Sequence, residues 1–512
     1  MKITSYERIA GSLASIGGGL QFWLLLAALS CTATLVYYPH MSYPYPLHVD
    51  EWYNILHAKK ILEGDYNLES NRLFELGYHL LLAALSRMGF DLVLQYKLLP
   101  AAFSVASALS LYSMTHHLTR SHGASLYSVI FFASLPSNVN LLGLWFAVPL
   151  TASIPLVYLS VMLLHKSFES YSAKDILLFC ILLMALLFMH PTSAFFVISL
   201  SAIYAFGQGL WKRSIKPLKV MAAVAATLAL PSLIFLKLRG MELSWFIAQL
   251  VYRRGWTPVE PAVDKLPAIL YASNLKIYMS QYLMPVIFGA APFLLALAGL
   301  YYSLKEKKHG ILALWAFYCA TLAFVFVNYD VSILMPYQRV VYYSMLGLAP
   351  LAGIGMERLM GLASAKIPWK KIRLIVSAML LAAVLYATFK NYGATSRGLE
   401  IYRLIDDSDY EASKFLAKQP DGKIIAPPNI AVALPVLASK DVLADLTVLG
   451  DEEMKEKSRV FQNLDCKTQR SVFDKYGIAY VYSKGAIECP SLKEIYSSKE
   501  RRIYTLASPS PS

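Results

Sequence analysis

Two adjacent carboxylates, Asp50 and Glu51, are the residues whose types and placement best suit chemistry. They stand in YPYPLHVDEWYNILHAKKILEGDYN, Tyr43 to Asn67, directly after the first long apolar segment. A carboxylate held at a membrane boundary is partly desolvated. That raises its pKa and lets it take a proton from an attacking hydroxyl. With His48 and His57 alongside, the cluster is denser than capping a helix requires. Capping remains the competing role, because an Asp opening a helix accepts a backbone N–H and Glu51 in the first turn is favoured by the helix dipole.

The element that must hold this pair is a short amphipathic helix. Trp52, Ile55, Ala58 and Leu62 recur at steps of three and four, which is one helical face. Lys59, Lys60, Glu63 and Asp65 fall on or near the other side, and Gly64 marks the end. Tied to a membrane span and carrying Trp and Tyr, such a helix lies along the membrane surface.

Composition requires a membrane. The chain has 512 residues, 57% hydrophobic and only 16% charged, with a mean hydropathy of +0.47; soluble domains carry about 25% charged residues. The net charge of +14 is accounted for by basic loops on one side of the bilayer, and nucleic acid is not expected as a partner. Leu20–Tyr38 reads as a retained first span, not a removed signal. Five cysteines show no metal-ligand spacing. Cys31, Cys180 and Cys319 lie in apolar spans, whereas Cys466 and Cys489 can pair if the tail is outside the cell.

Spans of about twenty apolar residues are expected at Leu20–Tyr38, Gln95–Thr115, Ala124–Pro136, Leu142–Leu164, Ile176–Met189, Thr192–Leu210, Leu218–Leu236, Met284–Leu304, Ile311–Val327, Val340–Met360 and Ile372–Phe389, about eleven in all. Phe74–Met88 is apolar but short and interrupted. If it does not cross, the connections around Arg120, Trp211–Lys219, Lys305–His309 and Lys366–Arg373 all fall on one basic, cytoplasmic side. The acidic pair, the long loop of residues 237–283 and the tail then lie outside. The expected fold is therefore an all-α polytopic membrane domain over residues 1–390. Residues 39–90 form its first outer loop with interfacial helices, and a small extracytoplasmic α/β domain follows over residues 391–512. In the tail, Lys423–Ala426, Ile478–Tyr482 and Arg502–Leu506 read as strands, and Tyr410–Lys418 and Cys466–Tyr476 as helical.

The motif HVDEWYNILHAKKILEGDYN resembles the two-acid version of the first outer loop in protein O-mannosyltransferases of the GT-C glycosyltransferases. FELGYHLLLAALSRMGFD looks like that family's juxtamembrane helix, and PYQRVVYYSMLGLAPLAGIGMERL resembles its late span with an Arg at the outer end. Aminoarabinose-transferase-like enzymes are of the same kind. The His-Pro-Pro-like sequence of the second helix is absent, Gly77, Tyr78 and His79 standing there, and so is the WWDYG signature of oligosaccharyltransferase catalytic subunits. The resemblance implies transfer of a monosaccharide from a polyprenyl-phosphate-linked donor, with Asp50 as base, inversion at the sugar carbon, and Glu51 positioning the acceptor or sharing the proton.

A departing phosphate gains charge and needs fixed cations. Arg339, after Pro336 and Tyr337, and the pair Arg253 and Arg254 are the candidates, Arg's planar fork suiting phosphate better than Lys. Arg72 and Lys97 are weaker candidates. His190, opening HPTSAFF at a span junction, is a candidate for bonding substrate, and Tyr337 for lining its site. Glu75 and His79 are one turn apart and could line the acceptor site or help Asp50 hold a divalent cation, although one His with carboxylates is no specific metal pattern. The acceptor is left open between lipid, glycan and protein. A polytopic transporter or a lipid-linked-sugar flippase or polymerase is the competing class; a transporter would show internal repeats and charges within spans, and neither is evident.

Overall fold

The computed structural model describes residues 20–66, 75–137, 141–238, 251–253, 288–306, 308–329, 331–363, 375–384, 386–387, 389–390, 403–444, 452–498 and 500–507. They fall into two compact units that interleave along the sequence. Unit 1 lies within Met1–Pro39, Asn67–Tyr78 and Leu98–Thr395; unit 2 lies within His40–Tyr66, His79–Lys97 and Ser396–Ser512.

The helices before the tail, in order, are α1 (Leu20–Met41), α2 (Val49–Glu63), α3 (Leu76–Arg87), α4 (Leu92–Thr119), α5 (His122–Ala133), α6 (Pro149–Ser170), α7 (Ala173–Met189), α8 (Pro191–Lys212), α9 (Lys216–Leu238), α10 (Ala290–Lys305), α11 (Gly310–Tyr329) and α12 (Tyr337–Ala363). With the apolar stretch Ile375–Val384, every span expected from the sequence contains a described helix. Among the described residues, six helices (α1, α4, α6, α8, α11 and α12) are long and apolar enough to cross a bilayer by themselves. At 12 residues, α3 is about 18 Å long, well short of the ~30 Å hydrocarbon core.

One expected span starts late. Residues 142–148 are not helical, because Leu142 has φ +47° and Pro149 fits only the first turn of the helix it opens. This segment is buried and held by side chains: Trp145 N donates to Ser137 Oγ at 3.0 Å and Tyr78 OH donates to Ala147 O at 2.6 Å.

Unit 1 packs its helices through small residues. A Cβ at Gly355 would stand 2.0 Å from Leu295 O, and one at Gly299 would stand 1.9 Å from Leu351 O. The α10 and α12 backbones therefore touch, as helices without a hydrophobic driving force between them tend to do. Gly347 makes room for the Trp315 indole in the same way, and Trp315 Nε1 donates to Tyr343 O at 2.9 Å.

Unit 2 joins the first-loop helices to the C-terminal residues. The tail holds helix α13 (Asp407–Ala417), the one-turn helices α14 (Pro428–Ala431) and α15 (Leu434–Leu437), α16 (Glu452–Val460) and α17 (Cys466–Tyr476), with strands Lys423–Ile425, Ile478–Ser483, Leu492–Ser498 and Arg501–Leu506. Following the membrane-domain strands β1 (Val251–Arg253) and β2 (Val331–Ile333), these are β3 to β6. The sheet order is β3-β4-β6-β5. β3 and β4 are parallel, a pairing that needs a long crossover, and α17 lies in that crossover. Phe461, Phe473, Val481 and Tyr504 form the core there. Cys466 and Cys489 are joined by a disulfide with Cα atoms 5.3 Å apart.

Three polar fasteners bind the first loop into unit 2. Tyr43 OH donates to Ile405 O at 2.7 Å, and Tyr45 OH to Asp407 Oδ1 at 2.8 Å. From α2, Lys59 Nζ donates to the carbonyls of Pro435 and Val436, each at 3.0 Å, and to Ser439 Oγ at 2.7 Å. Burial lowers the pKa of this ammonium while Glu63 opposes the shift; three acceptors compensate for the water it gives up.

Candidate functional site

Helix α2 begins with a capping box in which the N-cap residue is His48, not Asp50. His48 Nδ1 accepts from Asp50 N at 3.1 Å, and Glu51 Oε2 accepts from His48 N at 3.0 Å and Leu47 N at 2.6 Å. The two acids therefore have different situations. Glu51 is fully buried and its carboxylate secures the helix start. The Asp50 side chain is 49% exposed, with Oδ2 3.5 Å from His48 Nδ1. That nitrogen presents a lone pair to Asp50 N, so neutral His48 cannot donate to the carboxylate from Nδ1. The Asp50 carboxylate takes no part in the cap.

A second chain of bonds fixes α3 against α2. Asn54 Nδ2 donates to Asp50 O at 2.7 Å; a carbonyl cannot donate, so Asn54 Oδ1 is the acceptor for His79 Nε2–H at 2.9 Å. His79 Nδ1 is then an acceptor, and takes the Tyr66 hydroxyl proton at 3.2 Å. His79 is fully buried and His57 stacks on it at 4.9 Å. Glu75 precedes α3, its carbonyl accepting from Tyr78 N at 3.0 Å. The sequence reading missed Asn54 and Tyr66; the position of Asn54 four residues after Asp50, on the same face, was the available signal.

In unit 1, His190 joins α7 to α8. Its N–H donates to Leu186 O at 2.7 Å and its carbonyl accepts from Ser193 N at 2.9 Å. Its Nδ1 lies 2.6 Å from Ser193 Oγ, which also contacts Ser153 Oγ at 2.6 Å and the Tyr343 hydroxyl. Ser153 Oγ donates to Leu150 O at 2.6 Å. One hydrogen assignment satisfies all four contacts. Ser153 donates to the carbonyl and accepts from Ser193, which in turn accepts from both Tyr343 OH and His190 Nδ1–H. His190 Nε2 therefore carries the lone pair. Burial, then the charge of Arg339, pushes the His190 pKa down to about 3, so the ring stays neutral and is suited to hydrogen bonding, not to carrying protons.

Arg339 lies in the first turn of α12, where its N–H donates to Pro336 O at 2.9 Å and its Nη1 to Leu141 O at 2.7 Å. Tyr337 is buried and stacks on Phe326 at 4.4 Å. Arg253 is on β1, whose backbone pairs antiparallel with β2, placing Arg253 opposite Val331. Its partner in the predicted pair, Arg254, lies outside the described residues, as does Arg72. The pairing ties a segment within the long loop to the strand that leads into Arg339, which the sequence did not reveal. Ser153, Ser193 and Tyr343 also went unassigned, although Ser193 has the spacing of a first-turn partner for His190.

No family model and no curated protein matches the sequence. Solved structures do. ArnT from Cupriavidus metallidurans bound to undecaprenyl phosphate aligns over 96% of this chain and 100% of its own, with a TM-score of 0.57 and 13% identity. The apo Archaeoglobus fulgidus oligosaccharyltransferase aligns over 92% of this chain and 70% of its own, at TM-score 0.57 and 11% identity. The same archaeal enzyme, AglB, in complex with an inhibitory peptide and a dolichol-phosphate gives 0.57 and 12%, again over 92% and 70%. At these identities the likeness is one of fold.

Proposed function

From the GT-C fold that this chain shares with those enzymes, we propose that it is a membrane glycosyltransferase moving a monosaccharide from a polyprenyl-phosphate-linked donor to an acceptor hydroxyl. The observation that carries this reading is the division between the two acids: Glu51 is committed to the helix start, whereas the Asp50 carboxylate is half exposed and takes no part in the cap. In the proposed step, the Asp50 carboxylate takes the acceptor O–H proton as that oxygen attacks the anomeric carbon. The carbon–oxygen bond to phosphate breaks on the opposite face, and polyprenyl phosphate leaves with the bonding pair, so configuration inverts.

The phosphate goes from one negative charge to about two as it leaves, so a fixed guanidinium favours the transition state over the ground state. Arg339 is assigned that role, with Arg253 and Arg254 as further phosphate ligands. His190, a neutral acceptor through Nε2, suits a donor hydroxyl; His48, His57, Glu75 and Tyr337 are assigned to substrate binding, and His79, buried and bonded to Asn54 and Tyr66, to positioning α3 for it. Lipid, glycan and protein acceptors all remain within the reading, as does a divalent cation held with Asp50. The Cys466–Cys489 disulfide supports an oxidising, extracytoplasmic location for unit 2, as does the basic character of the opposite connections.

The test is sugar transfer from a polyprenyl-phosphate monosaccharide by the full chain in proteoliposomes, counted in lipid, glycan and protein fractions of added membranes. Asp50→Asn lowers the rate by about 10²–10⁴-fold. Arg339→Ala lowers it about 10²–10³-fold, and Arg339→Lys recovers part, because a point charge lacks the bidentate fork. Wild-type rates in Asp50→Asn remove the assigned base.

A further inference from the structure

The end of unit 1 where the basic connections lie holds a group of side chains that the proposed reaction does not use. His165 and Glu169 are one turn apart near the C-terminus of α6, and His117 comes from the last turn of α4. About twelve residues, or ~18 Å of helix, separate His165 from Ser153 of the His190 network. His117 Nε2 and Glu169 Oε2 are 3.7 Å apart, and so are His165 Nδ1 and Glu169 Oε2. All three ligand atoms lie within 4.8 Å of one another.

These contacts are too long for hydrogen bonds, and the two nitrogens, both sealed from solvent, have no hydrogen-bond partner among the described residues. A buried polar atom left in that state is costly and calls for an occupant. We propose that His117, His165 and Glu169 bind a single divalent transition-metal ion, Zn²⁺ being the best fit. Tetrahedral bonds of about 2.0–2.2 Å put ligand atoms roughly 3.4 Å apart, whereas a water at hydrogen-bond distance would hold them at about 4.6 Å. The observed 3.7 Å is nearer the metal value.

The donor set is also selective. Two imidazoles and one carboxylate suit Zn²⁺ and its neighbours in the first transition row, while Mg²⁺ and Ca²⁺ demand oxygen. Lys166 is neutralised by Asp175 at 2.8 Å; Arg120 and Lys212 act on the imidazoles and oppose every divalent cation alike, so occupancy requires the strong directed nitrogen bonds of a transition metal. The half-exposed Glu169 gives the ion a route in and an open coordination position. Bound there, the metal ties the α4 terminus to α6. It does not depend on the glycosyltransferase reading.

The experiment is Zn²⁺ titration of the chelator-stripped full chain in nanodiscs, with metal content measured after desalting and Co²⁺ substituted to report tetrahedral coordination in its visible spectrum. One Zn²⁺ per chain is expected, with affinity at least about 10-fold weaker in His117→Ala, His165→Ala and Glu169→Gln, since loss of a direct ligand costs no less than loss of an outer-shell partner, and unchanged in His309→Gln. Glu169→Gln alters a half-exposed side chain, so it reads the site without unfolding the bundle; metal-free melting temperature checks this. No saturable uptake by the wild-type chain, or uptake equal in wild type and the three variants, overturns the proposal.

Discussion

The two units hold their elements by different physics. Unit 2 relies on polar fasteners. Burial by itself would raise the Asp409 carboxyl, but bonds from Arg501 and Tyr482 and the Asp406 N–H hold its pKa below the ordinary value. Arg501 Nε meets Asp409 Oδ1 at 2.6 Å and its Nη2 meets Asp406 Oδ2 at 2.5 Å. Unit 1 relies on close approach of backbones at Gly299, Gly353 and Gly355 and on stacked rings such as Phe196 and Tyr343, 4.3 Å apart. Charges and hydrogen bonds to water-facing elements can be titrated or screened, whereas steric fit cannot. Unit 2 is therefore expected to yield to pH and charge, and unit 1 to side-chain volume.

The largest effect expected is at Arg501. Arg501→Ala leaves buried Asp409 without its cation and costs about 3 kcal/mol, the low end for breaking a buried pair because Asp406 remains in water. The same contact gives unit 2 an acid limb. A depressed carboxyl stabilises the fold above its unfolded pKa, and that contribution is lost as pH falls below about 4. Hydrogen exchange of β4 and β6 across that range is the measurement; if Arg501→Ala keeps the wild-type acid limb, the contrast between the units fails.

Gly355→Ala comes next. It drives a methyl into Leu295 O and costs about 1–3 kcal/mol through overpacking, with no dependence on pH between 4 and 8. Thermal melting in nanodiscs reads this, and a pH-dependent loss would contradict the steric account.

The smallest difference lies within α2. Glu51→Ala removes a capping acceptor and costs about 1–2 kcal/mol, while Asp50→Asn changes stability by less than about 0.5 kcal/mol. Equal destabilisation by the two substitutions would erase the division of labour between the acids.

Much of this architecture was readable locally. The apolar runs located the helices, Gly64 ended α2 with φ +79°, and the three strands and two helices expected in the tail fell within a residue or a few of their positions, while α14, α15 and α16 were not expected. Where the reading failed, the cause is specific. Residues 142–148 are apolar enough for a span, yet Pro149 and the Ser137 hydroxyl impose an irregular buried segment. β5 was not foreseen, because Leu492–Ser498 owes its extended form to pairing with β6 more than to its own pattern.

The sequence by itself determined that the chain is membrane-embedded, which stretches of the first 390 residues hold helices, and that two acids open the first-loop helix. Those properties follow from hydropathy and from turn chemistry acting over a few residues. Only the tertiary structure decided which acid is consumed in capping, that His190 answers to Ser193 and Tyr343, and that Lys59 is anchored by carbonyls 376 and 377 residues away. A side chain's partner across such a separation depends on how the whole chain folds, and no local periodicity encodes it.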